Sequence, residues 1–281
     1  MKGVLIRSHE KGVDVAFNKS SGERIILKSL ERSRLSTSTK CPSMRGENQF
    51  ATTKLLLLPA PFHNSKATHH NSHYTMVENV LTADQMKDAL DYFTSTGFQS
   101  YLISAQSSMG LAKSIRKTAL TAMVCSSEES IRDRLPLFPA WLRTRLMRLV
   151  LHVDKQSSWK TILREDKDEV MDQRLEVWYN EYRIGDHYAG WHTDQDERHD
   201  WTEAPPRALS LVIHLDNATN YQNGQFSVAA DGETAHVQFQ QNDAIIFPAD
   251  QLWHKVDKVT QGIRRTISFW ISHDPKYVTR V

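Results

Sequence analysis

Between Leu175 and Ser272 the chain breaks into short alternating apolar runs divided by turn residues, and no other stretch restricts the fold as tightly. Leu175 to Tyr182, Arg207 to Asp216, Gln225 to Ala229, His236 to Gln240, Ala244 to Phe247 and Arg265 to Ser272 follow one another at close spacing. Such a series points to an all-β sandwich or barrel. Successive side chains of a strand point to opposite faces. Within residues 207–216, Leu209, Leu211, Ile213 and Leu215 therefore make one greasy face, and Ala208, Ser210, Val212 and His214 make the other. A strand that is apolar on one side and mixed on the other suits a barrel wall whose inner face lines a pocket. His214 is then either a pocket residue or a satisfied core histidine.

Flanking elements precede this region. A domain is predicted to start near Tyr74, with a strand over Thr75 to Leu81. Thr82 then caps a helix that carries Met86, Leu90 and Phe93 on one face and ends before Gly97. Phe98 to Ile103 and Thr118 to Val124 read as strands. Pro136 and Pro139 flank a helix start, after which Trp141, Leu142, Leu146, Leu149 and Val150 recur at helical spacing. Arg143, Arg145 and Arg148 read as the solvated face of that helix. Residues 1–73 are less regular. Val4 to Ile6, Val13 to Phe17 and Ile25 to Leu27 have the look of small strands, and two polar stretches bracket Leu55 to Leu58. With twelve Lys and Arg against five Asp and Glu, residues 1–73 are expected to be a basic, partly ordered extension.

Composition removes several function classes. A net charge of +2 over 281 residues is too small to imply a nucleic-acid partner. Two cysteines, Cys41 and Cys125, make neither a disulfide framework nor a zinc ribbon, so a reduced cytoplasmic compartment is the simplest reading. No apolar run approaches membrane-spanning length, and Met1 to Arg7 lack the features of a secretory signal.

The chemistry is concentrated around Trp191-His192-Thr193-Asp194. In an extended segment His192 and Asp194 would point to the same face, so an imidazole and a carboxylate converge and a third ligand must come from elsewhere in the chain. Two His and one carboxylate on one side of a metal, with the other side open, suit non-haem Fe(II) oxygen chemistry. Downstream lie His254 and the last strand, in which Arg264, Thr266, Ser268 and Trp270 share a face. An Arg that enters a barrel must meet an anion, because burying it unpaired is costly. A dicarboxylate co-substrate supplies one, held by the planar guanidinium through two hydrogen bonds. Arg265, on the same side as Ile267, Phe269 and Ile271, is read as rim or surface.

The ordered series Asn180-x-Tyr182-x-x-Gly185, His192-x-Asp194, Gly224, Asn242-Asp243, Phe247-Pro248, His254 and Gly262-x-Arg264-x-Thr266 resembles the Fe(II)- and 2-oxoglutarate-dependent dioxygenases of the prolyl-4-hydroxylase-like branch. The likeness is dense over residues 175–272, looser from Tyr74, and does not involve residues 1–73. It implies a mainly β fold with flanking helices, a double-stranded β-helix or jelly-roll barrel, over residues 74–281. It implies iron held by His192, Asp194 and His254, with Arg264 on the distal carboxylate of 2-oxoglutarate and Thr266 beside it. Tyr182 and Asn180 would line the co-substrate pocket, and His214 falls where the branch often has a Tyr. The implied reaction consumes O2, with ascorbate as reductant, releases succinate and CO2, and hydroxylates a C–H of a peptidyl residue, amino acid or small metabolite. Two departures stand out: the stretch from Tyr188 to His192 is one residue longer than usual, and Asn223-Gly224-Gln225 replaces a common Gly-Gly pair.

Three other readings are weaker. Nucleic-acid demethylases of the same superfamily carry a second Arg six residues after the first, where this chain has Trp270. A non-catalytic barrel would not need an intact ligand set, and a zinc or manganese barrel would not need Arg264. The loop that begins at Gln195 is either a substrate lid or a solvated connector.

Overall fold

The computed structural model describes residues 3–9, 12–18, 24–30, 62, 65–70, 72–104, 116–125, 135–159, 161, 175–195 and 206–273. Near the start, β1 (Gly3–His9), β2 (Gly12–Asn18) and β3 (Arg24–Leu30) form an antiparallel sheet in the order β1-β2-β3, at the three runs read as small strands. The next strands are β4 (Lys66–His70), β5 (Thr75–Glu78), β6 (Ile103–Ser104), β7 (Arg116–Lys117) and β8 (Ala119–Met123). They are followed by β9 (Leu175–Tyr182), β10 (His187–His192), β11 (Arg207–His214), β12 (Tyr221–Asn223) and β13 (Phe226–Ala230). The last are β14 (Glu233–Val237), β15 (Ala244–Pro248), β16 (Trp253–Val256), β17 (Val259–Gly262) and β18 (Arg264–Ser272). Three helices, α1 (Ala83–Thr94), α2 (Thr96–Gln99) and α3 (Ala140–Gln156), complete the described elements used below.

Two sheets make the jelly roll. The larger has the order β4-β5-β15-β11-β18-β9-β8-β6 and the smaller β14-β13-β16-β10-β7. The period-two pattern of the central strands divides their side chains between two cores. Leu209, Leu211, Ile213, Ile267, Phe269 and Ile271 pack with Leu142, Leu146 and Leu149 of α3 and with Ala89 and Phe93 of α1. Val212, Ile245 and Phe247 of the large sheet pack instead with Phe226, Val228 and Val256 of the small sheet. The greasy faces therefore meet the helices, and the mixed faces line the space between the sheets.

The sheet takes in residues ahead of Tyr74. β4 pairs with β5, and Phe62 is 1% exposed in the helix-side core. Its ring lies under Arg145, whose Cζ is 4.6 Å from the centroid, and Arg145 Nε donates to the Val80 carbonyl at 2.5 Å. Arg145 thus leaves the solvated face expected of it, whereas Arg148 is exposed. Trp141, read as part of the apolar stripe, is 39% exposed.

Thr82 caps α1 as its sequence implies, with Gln85 closing a reciprocal capping box. The strand expected over Phe98 to Ile103 is replaced by α2 and a two-residue strand. The Ser95 hydroxyl accepts from the Phe98 amide and starts a new helical turn, overriding the strand propensity of that run. β14 begins earlier than His236 because Asp231 (φ 51) and Gly232 (φ 83) make a two-residue hairpin turn that pairs Ala230 with Glu233. Among the described residues no helix is long and apolar enough to cross a membrane.

Candidate metal centre

β10 and β16 are neighbours in the small sheet, and their register sets His192 opposite His254. Asp194 follows His192 in the bend after β10. That bend is held by Gln195 N–H donating to the Ala249 carbonyl at 3.0 Å and by Arg207 Nη1 donating to the Asp194 carbonyl at 3.0 Å. Ligand atoms of His192, Asp194 and His254 all lie within 4.8 Å of one another. His254 Nε2 is 3.5 Å from Asp194 Oδ1, and the two imidazole centroids are 4.2 Å apart.

Backbone carbonyls orient both rings. His192 Nδ1 donates to the Gly190 carbonyl at 2.9 Å and His254 Nδ1 to the Leu252 carbonyl at 3.1 Å. With Nδ1 so engaged, Nε2 is the nitrogen that each ring has left for a metal. Burial, with His254 beside it, holds His192 down to about 3, so it is neutral at pH 7. Burial works against the charged form of Asp194, yet the two imidazoles and Arg207 hold its carboxyl below the usual range. Asp194 Oδ2 is buried without a hydrogen-bond partner. A buried carboxylate oxygen left over beside two imidazoles is what a site for a divalent cation requires.

Opposite this cluster the inner face of the large sheet carries a buried arginine. Arg264 is 1% exposed and makes no ion pair with an acidic side chain among the described residues. Its Nη2 donates to His214 Nε2 at 2.8 Å, its Cζ lies 5.2 Å from the Tyr182 ring centroid, and its Nε has no partner. Burial and the adjacent guanidinium hold His214 well below the usual histidine range, so it accepts from Arg264 as a neutral ring, stacked on Phe239 at 3.9 Å. His214 is thus buried and hydrogen-bonded, the satisfied core histidine of the two options left open for it. Gly224 (φ 66) makes room for the Arg264 stem, since a Cβ there would lie 3.2 Å from Arg264 Cδ and 2.8 Å from Val259 Cγ2.

Register aligns the remaining expected residues. Tyr182 pairs with Arg264, and Asn180 and His214 flank Thr266 on either side of β18. Asn180 donates to Ser268 Oγ at 3.1 Å and accepts from Arg116 Nη2 at 2.6 Å. Arg265 is partly exposed near the start of β18, where it pairs with Asp216 at 2.8 Å and with Glu181 at 3.3 Å on the helix side. Its outward side is greasy, but the end of that side carries two carboxylates from neighbouring strands.

Two arginines that stack on aromatic rings, Arg116 and Arg207, escaped the sequence. Arg116 is 7% exposed, and its Cζ lies 4.7 Å from the Tyr188 ring centroid. Tyr188 in turn stacks on His192 at 3.7 Å. Toward the far end of β18, Glu176 receives two bonds from Arg207, at 2.6 and 2.9 Å, and Arg207 lies 3.9 Å over Trp270. No local signal marks these residues, because each acts through a partner on another strand.

Residues 177–272 match the family model described as the 2OG-Fe(II) oxygenase superfamily. A PKHD-type hydroxylase of Janthinobacterium sp. (strain Marseille) is 32% identical over 99 residues, which are 33% of this chain and 41% of the relative. Another, from Caulobacter sp. (strain K31), is 32% identical over 100 residues, 34% of this chain and 43% of the relative. The chain thus spans about two fifths of the length of these curated relatives. In fold it is similar to a Pseudomonas putida prolyl-4-hydroxylase, with TM-score 0.53 and 17% identity over 72% of this chain and 94% of the other. It is equally similar, at TM-score 0.53 and 13% identity over 72% and 84%, to a Trichoplax adhaerens prolyl hydroxylase in complex with a hypoxia inducible factor peptide fragment.

Proposed function

We propose, from the match of residues 177–272 to the 2OG-Fe(II) oxygenase superfamily model, that this chain is a non-haem Fe(II)- and 2-oxoglutarate-dependent dioxygenase of prolyl-4-hydroxylase-like type that hydroxylates a C–H bond. The observation that carries the reading is the pairing of two features across one interior. Three convergent ligands include an unsatisfied Asp194 oxygen, and facing them is a buried Arg264 without an acidic partner among the described residues. A divalent metal answers the first and a dicarboxylate the second.

In this reading His192, Asp194 and His254 hold Fe(II). With 2-oxoglutarate and O2 the metal supplies an oxidation that releases succinate and CO2 and delivers hydroxyl to the substrate. Arg264 grips the distal carboxylate of 2-oxoglutarate, and His214 holds one guanidinium N–H so that the fork keeps its orientation. Thr266 and Tyr182 border that carboxylate, and Asn180 links the pocket to Arg116. Phe226, Phe239 and Val256 keep water from the interior, which strengthens the charge pairing. The substrate is a peptidyl residue, amino acid or small metabolite, admitted at the end of the barrel where Arg207 and Trp270 lie. The catalytic unit is residues 74–281 together with β4 and Phe62, residues before it are an appendage, and the setting is cytoplasmic.

Succinate formation from 2-oxoglutarate tests this. The protein is loaded with Fe(II) without oxygen and then exposed to O2, with no added substrate. Slow turnover that disappears in His192→Ala is expected. Absent turnover, together with no Fe(II)–2-oxoglutarate charge-transfer band, would refute the reading.

A further inference from the structure

β10 does not pair evenly with β16. Tyr188 lies opposite Val256 and His192 opposite His254, so four steps along β10 cover two along β16. In a regular strand Tyr188 and His192 would be separated by roughly 13 Å. The bulge draws them together: the phenol ring lies face to face on the imidazole, with centroids 3.7 Å apart and planes 16° from parallel. Gly190, inside the bulge, turns its carbonyl to His192 Nδ1 at 2.9 Å. The same irregularity therefore provides two of the contacts that orient this imidazole.

The far face of Tyr188 is occupied too. Arg116 is its cross-strand partner on β7, and the guanidinium carbon lies 4.7 Å from the ring centroid. Arg116 is 7% exposed and donates to Asn180 Oδ1 at 2.6 Å, and Asn180 donates to Ser268 Oγ on β18. A cation, a phenol and an imidazole thus form one stack, tied at its outer end to the wall of the large sheet. A π face between a cation and a second ring is held from both sides.

We propose that Tyr188 and Arg116 are positioning residues for His192. They hold its imidazole in the plane and rotamer that aims Nε2 at the Asp194–His254 pair before any metal arrives. This rests on the ligand set proposed above. The role requires the aromatic ring of Tyr188 and not its hydroxyl, and it requires the guanidinium of Arg116 as the outer plate. Preorganisation of this kind acts on metal affinity, because an imidazole free to rotate must be reordered when the metal binds.

The test is a Co(II) titration of the full-length, metal-free protein, read from the cobalt d–d spectrum, beside thermal unfolding of the same metal-free variants. Tyr188→Phe is expected to bind Co(II) like the wild type. Tyr188→Leu is expected to bind about tenfold more weakly, the low end for groups that orient a metal ligand, with an altered band shape. Arg116→Met keeps the packed stem without the cation and is expected to weaken binding severalfold. It decides the matter if the Leu variant does not fold. Wild-type Co(II) affinity and spectrum in folded Tyr188→Leu, or in Arg116→Met where the Leu variant does not fold, would overturn the proposal. So would a loss in Tyr188→Phe as large as in Tyr188→Leu. If wild-type protein binds Co(II) no better than His192→Ala, the ligand set itself fails, which is a separate result.

Discussion

Arg264 and Arg265 are adjacent and meet opposite environments. Strand alternation sends Arg264 inward to a neutral imidazole and an aromatic face, and sends Arg265 outward between Asp216 and Glu181. The two should separate cleanly in experiment. Arg264→Ala is expected to abolish 2-oxoglutarate binding, read by anaerobic spectroscopic titration, while the metal still binds. Arg265→Ala is expected to keep co-substrate binding and to lose about 1–3 kcal/mol of stability in urea unfolding, since it leaves the buried Asp216 carboxylate without its cation, while Glu181 keeps Arg183 at 2.8 Å. The reverse result would mean that the last strand is displaced by one residue. Alternation was enough to choose Arg264 from sequence. It could not show where Arg265 went, because Asp216 and Glu181 belong to other parts of the chain.

At the scale of the element, one asparagine joins the sheet to the first helix. Asn242 (φ 74) stands at the turn before β15. Its Oδ1 accepts from the Leu81 amide and its Nδ2 donates to the Leu81 carbonyl, both at 2.7 Å. Its own carbonyl accepts from the Val80 amide at 3.0 Å. The side chain thus imitates a strand partner for Leu81, just ahead of the Thr82 cap. Asn242→Ala would leave the buried Leu81 groups unpaired, at a cost of about 2–4 kcal/mol, measured as a shift in the urea midpoint. An unchanged midpoint would show that the latch contributes nothing. Elements carrying a local signal were legible in the sequence: α1 through Thr82 and Gln85, and β9, β11 and β15 through their alternation. β10, β12, β16 and β17 were not read as strands: β12, β16 and β17 are short, β10 is broken by its bulge against β16, and all are held by neighbours distant in sequence.

For the molecule as a whole, buried acids shape the response to pH. Burial, with Glu78 nearby, pushes Asp243 up to about 6, against the opposing pull of the Gln240 amide that it accepts at 2.8 Å. Its folded pKa lies above the ordinary 3.8, so the folded state binds the proton more tightly. That contribution is complete below the unfolded value and is lost as pH rises through about 6. Asp243→Asn should therefore flatten the part of the stability profile between pH 4 and 6, as measured by urea midpoints across that range. An unaltered slope would assign the dependence to other groups, such as Asp216, which burial also raises. The same division between local and distant effects governs the site. By itself the sequence determined which faces of the central strands are greasy, that His192 and Asp194 stand together, and which of two arginines turns inward. These follow from the two-residue period of a strand, which any local stretch carries. Tertiary structure alone decided that His254 stands opposite His192, that Arg264 shares its guanidinium with His214, and that a bulge lays Tyr188 on His192 beneath Arg116. Each of these depends on which strands pair and in what register, and that is set by burying both faces of the large sheet at once.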